Sequence, residues 1–75
     1  MELSPKEKWI LCELGKDIRP TEIAEKDAIS IHTVNTHIRS FKKKLNKNTI
    51  QACLVEAVFR KEIQLNVDNK ILEPR

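Results

Sequence analysis

The stretch that most constrains the fold of this chain runs from residue 30 to residue 47. Its apolar residues recur at steps of three and four, which at about 100° per residue places them on one stripe of a helix; they are Ile31, Val34, Ile38, Phe41 and Leu45. Polar and basic side chains fall on the opposite face, namely His32, Asn35, Thr36, Arg39 and Lys43. Ser30 can cap the helix, because its hydroxyl can accept from a backbone N–H of the first turn. The pattern predicts a helix that is buried along one side and basic along the other.

The charge of the chain is concentrated on this same stretch. Residues 1–29 carry five basic and seven acidic side chains, a net charge of −2, and residues 49–75 carry four of each. Residues 30–48 carry five basic side chains and no acidic one, a net charge of +5. Positive charge gathered on one segment is typical of a surface that binds a polyanion such as nucleic acid. The alternative is an ordinary solvated helix face.

Composition narrows the class of protein. With 40% hydrophobic and 33% charged residues, the 75 residues suit one small globular domain. One glycine and three prolines supply little turn chemistry for an all-β fold. No apolar run approaches the roughly 18 residues of a membrane span, and no signal peptide is evident, so we expect a cytoplasmic protein. Cys12 and Cys53 are isolated, and we expect buried thiols rather than a disulfide framework.

Three further helices are predicted around the basic one. Ser4-Pro5-Lys6-Glu7 combines a capping box with proline at the first helical position. A short helix follows from Pro20 to about Lys26, and a fourth runs from the cap Thr49 to about Lys61. We therefore predict an all-α fold, a four-helix helix-turn-helix domain over residues 1–63. Residues 64–75 show no clear periodicity and are assigned to a C-terminal tail.

The fourth helix is apolar around more of its girth than a single core face requires. One stripe suits the core and comprises Ile50, Cys53, Leu54, Ala57 and Val58. A second apolar strip comprises Val55, Phe59 and Ile63. A domain this small can bury the surplus only against a partner or against its own tail, and we predict a C-terminal dimerisation helix and a homodimer. Trp9 lies off the stripe of the first helix, and it is either a partly exposed packing residue or a second contact surface.

The sequence also resembles the LuxR-type (GerE-like) DNA-binding domain. The resemblance spans roughly residues 3–63 and rests on an ordered set of residues: Leu3-Ser4-Pro5-Lys6-Glu7, Ile10-Leu11, Glu22-Ile23-Ala24-Glu25, Ile29-Ser30, Thr33-Val34, His37, Lys44-Leu45 and Ala57. Departures from the family pattern occur at Asp17, Arg19 and Asp27. Arg19 cannot accept a capping hydrogen bond, so the start of the second helix can shift by about a residue. Asp27 stands where the family has a buried leucine, and we expect either local rearrangement or an outward turn there.

The resemblance implies roles for residues of the basic helix. It places base-reading positions on Asn35, Thr36 and Arg39, and the chemistry agrees, since these side chains can contact adenine, the thymine methyl group and guanine respectively. Phosphate contacts are expected at the helix ends, from Ser30, Thr33, Lys43 and Lys47. The implied partners are double-stranded DNA and a second copy of the chain, with RNA polymerase as a further candidate, and the implied location is the bacterial nucleoid.

An enzyme is not expected. His32 and His37 are separated by about 140° around a helix and cannot chelate one metal ion from the same face. No catalytic triad, glycine-rich phosphate loop or paired carboxylates stand out, and we expect no cofactor, no metal and no small-molecule substrate. The leading interpretation is a bacterial transcription regulator that binds duplex DNA. The alternative is a helical protein-interaction module whose basic face binds an acidic protein partner.

Overall fold

The computed structural model describes residues 2–68 and 71–75 and consists of four helices followed by two strands. The helices are α1 (Pro5–Gly15), α2 (Pro20–Lys26), α3 (Ile31–Leu45) and α4 (Ile50–Phe59), and the strands are β1 (Ile63–Asn66) and β2 (Ile71–Pro74). The fold is thus mostly helical, as predicted, with an added two-stranded sheet that the sequence did not predict. Residue 1 of the predicted domain and residues 69 and 70 of the predicted tail lie outside the described residues.

Three of the four helices begin at the capping residues expected from the sequence. The hydroxyl of Ser4 accepts from the N–H of Glu7 at 3.1 Å, and the carboxylate of Glu7 accepts from the N–H of Ser4 at 2.7 Å, which completes a capping box. The hydroxyl of Thr49 accepts from the N–H of Ala52 at 3.1 Å. At the start of α2, Arg19 makes no side-chain capping bond, and helix formation there depends on Pro20 at the first position.

The core lies where one face of each helix meets the others. From α3 it receives Val34, Phe41 and Leu45, each at most 1% exposed. The other helices contribute Ile10, Leu11, Cys12, Ile23, Ala24, Cys53 and Ala57. Ile38, expected to be buried with Val34, is only partly buried and packs against the rim of this cluster. Both cysteines are buried and free, as predicted, and burial raises the pKa of the Cys12 thiol to about 11.

The segment after α4 forms an antiparallel hairpin that packs on α1 and α4. Ile63 pairs with Pro74 and Leu65 with Leu72. Leu72 packs so closely over the end of α1 that a side chain on Gly15 would collide with it. The predicted boundary between the domain (residues 1–63) and the tail (residues 64–75) therefore falls inside β1. The described residues of the predicted tail pack on the helices.

Polar contacts fasten the hairpin to the start of the chain. The carboxylate of Glu62 accepts from the N–H of Leu3 at 3.0 Å and lies 3.6 Å from the ammonium group of Lys8. The main chain of Glu62 accepts from the N–H of Arg75 at 3.0 Å, and Lys8 donates to the carbonyl of Arg75 at 3.1 Å. Residues from both ends of the described chain thus meet at one residue of intermediate exposure, Glu62.

Candidate nucleic-acid interface

A short helix, a tight turn and a longer helix form the candidate site. The turn between α2 and α3 closes when the N–H of Ile29 donates to the carbonyl of Ala24 at 3.0 Å. Ala28 adopts a left-handed conformation with φ of 53°, which reverses the chain within the turn. Asp27, at the end of α2, is partly exposed and pairs with Lys6 of α1. This pairing accommodates a carboxylate where an apolar residue was expected from the resemblance.

The predicted base-reading residues lie together on the exposed face of α3. Asn35, Thr36 and Arg39 are all exposed, and Val34 beside them is completely buried. Asn35 and Arg39 stand four residues apart, so they are neighbours along one row of the helix. The hydroxyl of Thr36 donates to the carbonyl of His32 at 3.0 Å, which leaves its methyl group and its oxygen lone pairs for an external contact.

The predicted phosphate-binding residues lie at the two ends of the same helix. At the start, the hydroxyl of Ser30 accepts from the N–H of Thr33 at 3.0 Å and lies 2.9 Å from the Thr33 hydroxyl. At the other end, Lys43 is exposed in the last turn, and Lys47 is exposed just after the left-handed cap residue Asn46. Fifteen residues of helix span about 22 Å, so these two groups bracket the base-reading residues.

One basic side chain of this region pairs with an acid inside the domain, whereas several others form no ion pair. Lys44 lies 2.7 Å from the carboxylate of Glu7 in α1. By contrast, the side chains of Arg39, Lys43 and Lys47 make no ion pair with any described residue. These three exposed positive charges are therefore uncompensated, two of them on the outer face of α3 and the third just after its end.

The pair between Glu7 and Lys44 is a positioning contact that sequence reasoning missed. Glu7 is 2% exposed, and burial alone would raise the pKa of its carboxyl group. Hydrogen bonds from Lys44, from the main chain of Ser4 and from Ser40 outweigh burial and lower this pKa to about 2. The carboxylate therefore stays charged and ties α3 to the start of α1. Both residues belong to the ordered set of the resemblance, but nothing in the sequence pairs positions 37 residues apart.

The predicted dimer residues do not all lie on one surface. Val55 is 71% exposed and Phe59 is 81% exposed on the outer side of α4. Ile63 is 1% exposed in β1, so its placement on this strip was wrong. The physical reason is that the helix ends at Phe59, and Lys61 with φ of 62° redirects the chain and turns Ile63 into the core. Val58, assigned to the core stripe, is instead 45% exposed beside the other two.

The described residues also bear on metal binding, membrane insertion and surface grooves. Among them, no group of three or more histidine, cysteine, aspartate or glutamate side chains is placed to hold a metal ion. In residues 2–68 and 71–75, no helix is long and apolar enough to cross a membrane. A groove of about 480 Å³ lies between the end of α1, the loop to α2 and the first half of α4. It contains none of the predicted site residues.

The arrangement of α2, turn and α3, with free cations on α3, defines a helix-turn-helix DNA-binding domain. The family model described as bacterial regulatory proteins of the luxR family (GerE) matches residues 1–57. The chain therefore belongs to the LuxR family of bacterial regulatory proteins, and it carries the DNA-binding regulatory domain of that family. Comparisons with curated proteins and with solved structures gave no significant match. The family match ends within α4, before the hairpin begins.

Proposed function

We propose that this chain binds a duplex DNA site by its sequence, with α3 lying in the major groove, and so acts in bacterial transcription regulation. The observation that carries the proposal is the division of α3 into a buried face and an exposed face with unpaired cations. Basic side chains on a helix surface are commonly paired with acids three or four residues away. No acidic residue occurs between Asp27 and Glu56, so α3 has no acid of its own to pair with these cations, which supports an external anion as their partner. Membership of the LuxR family supports the same reading.

Asn35, Thr36 and Arg39 are the proposed base-reading residues. A guanidinium group can donate to both O6 and N7 of guanine, and a carboxamide can pair with N6 and N7 of adenine. Because the hydroxyl of Thr36 already donates within the helix, we expect its methyl group to contact a thymine methyl. All three lie on the same exposed face of α3, which supports this assignment, since a recognition helix reads base edges from one face.

Ser30, Thr33, Lys43 and Lys47 are the proposed phosphate contacts. Ser30 and Thr33 stand at the helix N-terminus, where the first backbone N–H groups and the helix dipole favour an anion. Lys43 and Lys47 supply charge at the far end. Contacts at two ends of one helix would fix its register on the duplex without reading sequence.

Dimerisation through α4 is the second part of the proposal. One recognition helix reaches only a few base pairs, and two linked copies engage two half-sites at high effective concentration. The exposure of Val55 and Phe59 supports α4 as the contact, with Val58 beside them. A contact with RNA polymerase, expected from the resemblance, stays a prediction.

A salt titration of binding, on a site selected from random duplexes and on unrelated duplexes, tests the proposal. Each phosphate contact contributes about −0.9 to the slope of log K against log salt concentration. We therefore expect Lys47→Ala to flatten the slope by about one unit on both DNAs. Lys16→Ala is the matched control, because Lys16 also carries one positive charge but lies at the end of α1, 3.5 Å from Glu13. A chain that bound an acidic polypeptide but no duplex at low salt would contradict the proposal.

A further inference from the structure

Exposed apolar side chains are concentrated in the last third of the chain. Seven large apolar residues are exposed among the described residues, and six of them fall between residues 55 and 71. Three lie in α4, and the other three are Leu65, Val67 and Ile71 of the hairpin. Apolar surface concentrated in this way on a small domain marks an interaction site. The proposed α4 contact accounts for only the first three.

The two strands of the hairpin differ in how readily their outer edges can pair with a further strand. The N–H of Arg75 donates to the carbonyl of Glu62, so Ile63 and Pro74 form a non-hydrogen-bonded pair, because the two kinds of pair alternate along an antiparallel ladder. Proline at this position costs no ladder bond, and its ring removes a donor from the outer edge of β2. Glu73 adds a charge, and β2 also packs on α1. The edge of β2 is thus closed to a further strand.

The edge of β1 has neither the proline nor the charge, although β1 packs on α4. The segment Ile63-Gln64-Leu65-Asn66-Val67 contains no charge and no proline, and it alternates apolar and amide side chains. Leu65 pairs with Leu72 in the same non-hydrogen-bonded manner, so its N–H and C=O point away from β2. Ile63 is buried, but Leu65 is 55% exposed and Val67 is 74% exposed. From Leu65 onward the edge is therefore open to another strand.

We propose that this edge pairs with β1 of a second copy, so that the dimer is held by the hairpin as well as by α4. The inference rests on the proposed dimer. An antiparallel pairing centred on Leu65, whose N–H and C=O point outward, sets this residue opposite its counterpart in the other copy and Gln64 opposite Asn66. Apolar residues then face each other on one side of a four-stranded sheet, with uncharged amides on the other side. A two-fold interface requires this kind of self-complementary surface.

The size of the α4 surface favours a second copy as the occupant. A stable interface buries about 800 Å² on each partner. One exposed face of the ten-residue α4 offers Val55, Val58 and Phe59, which supply only part of such an area. Leu65 and Val67 follow α4 within a few residues and extend the apolar surface in the same part of the chain.

The test measures the dimer dissociation constant of the full chain by sedimentation equilibrium, together with cooperativity on a DNA with two half-sites. Val67→Lys places a charge on the edge, and Leu65→Pro removes the outward N–H without breaking a ladder bond. We expect each change to weaken the dimer by about tenfold or more. Ile31→Lys is the matched control for the dissociation constant, because it places the same charge on an exposed apolar residue of α3, outside the hairpin and α4, and we expect the dimer to keep its strength.

Two outcomes separate the hairpin contact from the dimer itself. If Phe59→Glu weakens the dimer while Leu65→Pro and Val67→Lys leave it unchanged, the hairpin contact is overturned and the α4 dimer stands. If the chain stays monomeric and fills two half-sites independently, both are overturned. Amide hydrogen exchange of the unaltered chain checks the same point without a variant. The N–H of Leu65 should exchange more slowly as protein concentration rises, and an unchanged rate would overturn the pairing.

Discussion

Helices α3 and α4 bury similar inner faces but present different outer faces. Phe41 and Val34 of α3 are as completely buried as Cys53 and Ala57 of α4. On the outside, α3 carries polar and cationic side chains, whereas α4 carries Val55 and Phe59 at more than two-thirds exposure. The inner faces hold the domain together, and the difference between the outer faces indicates the kind of partner that each helix takes.

The two kinds of outer face should also respond differently to solution conditions. Contacts between cations and phosphate weaken steeply with salt because counterions are released. Burial of an apolar side chain such as Phe59 contributes about 1.5–3 kcal/mol and depends little on salt. Raising the salt concentration should therefore separate DNA binding from self-association in one protein. The following changes test this contrast, beginning with the largest expected effect.

Truncating a buried side chain on the inner face of α3 should cause the largest loss of folding stability. Phe41→Ala removes a completely buried ring and should lower the free energy of unfolding by about 3–5 kcal/mol. Since small domains have only about 5–15 kcal/mol in total, this variant should melt far below the unaltered chain or fail to fold. Ile38→Ala should cost less, because Ile38 is only partly buried. Thermal denaturation followed by circular dichroism measures both, with the outer-face change Asn35→Ala as the control.

A charge on the outer face of α4 should disrupt assembly and leave the fold intact. Phe59 is 81% exposed, so Phe59→Glu should leave the melting temperature nearly unchanged. We expect lost cooperativity on a DNA with two half-sites, and affinity for a single half-site should be retained. Equal affinity of variant and unaltered chain for the paired site would exclude α4 as the dimer contact. The partly exposed Trp9, with Lys6 5.3 Å from its ring centre, would then be the next surface to test.

Truncation of the outer face of α3 should separate base reading from charge. Arg39→Ala should cost about 1–3 kcal/mol on the preferred site and much less on random DNA. Lys43→Ala should weaken binding to both DNAs by similar amounts. Competition binding on the two duplexes at one salt concentration measures the ratio. Equal losses on both DNAs for Arg39→Ala would remove that residue from the base-reading group.

The sequence predicted α3 well because the helix is long. Its fifteen residues repeat the apolar step over about four turns, and an N-cap marks its start. A periodic pattern of that length separates the buried face from the exposed face without knowledge of the other helices. The exposed positions of Asn35, Thr36 and Arg39 follow from it, whereas their roles in binding DNA stay predictions.

The sequence misled at the end of α4, where the structure changes within a few residues. Val55, Phe59 and Ile63 are spaced by four, which is the step of a continuing helix. The helix instead ends at Phe59, and the chain changes direction at Lys61, which adopts a left-handed backbone conformation. Glycine is the residue usually found in that conformation, so the sequence gives no sign of the change. Each strand that follows has only four residues, too few for alternation to be distinguished from helical spacing. The hairpin packs on α1, and a contact between segments so far apart in the sequence cannot be read from a local pattern.

The last prediction concerns acid and the contact between α1 and α3. The pKa of Glu7 is about 2 in the folded chain, below its ordinary value of 4.5, so folding favours the charged carboxylate. The stability from this group is fully present above pH 4.5 and should be lost as the pH falls towards 2. Glu7→Gln removes this titration, so its denaturation midpoint should fall less steeply with pH over that range. Glu25→Gln is the control, because Glu25 is exposed and makes no ion pair with a described residue. Parallel acid profiles for Glu7→Gln and the unaltered chain would show that the pair with Lys44 does not couple α3 to α1 in solution.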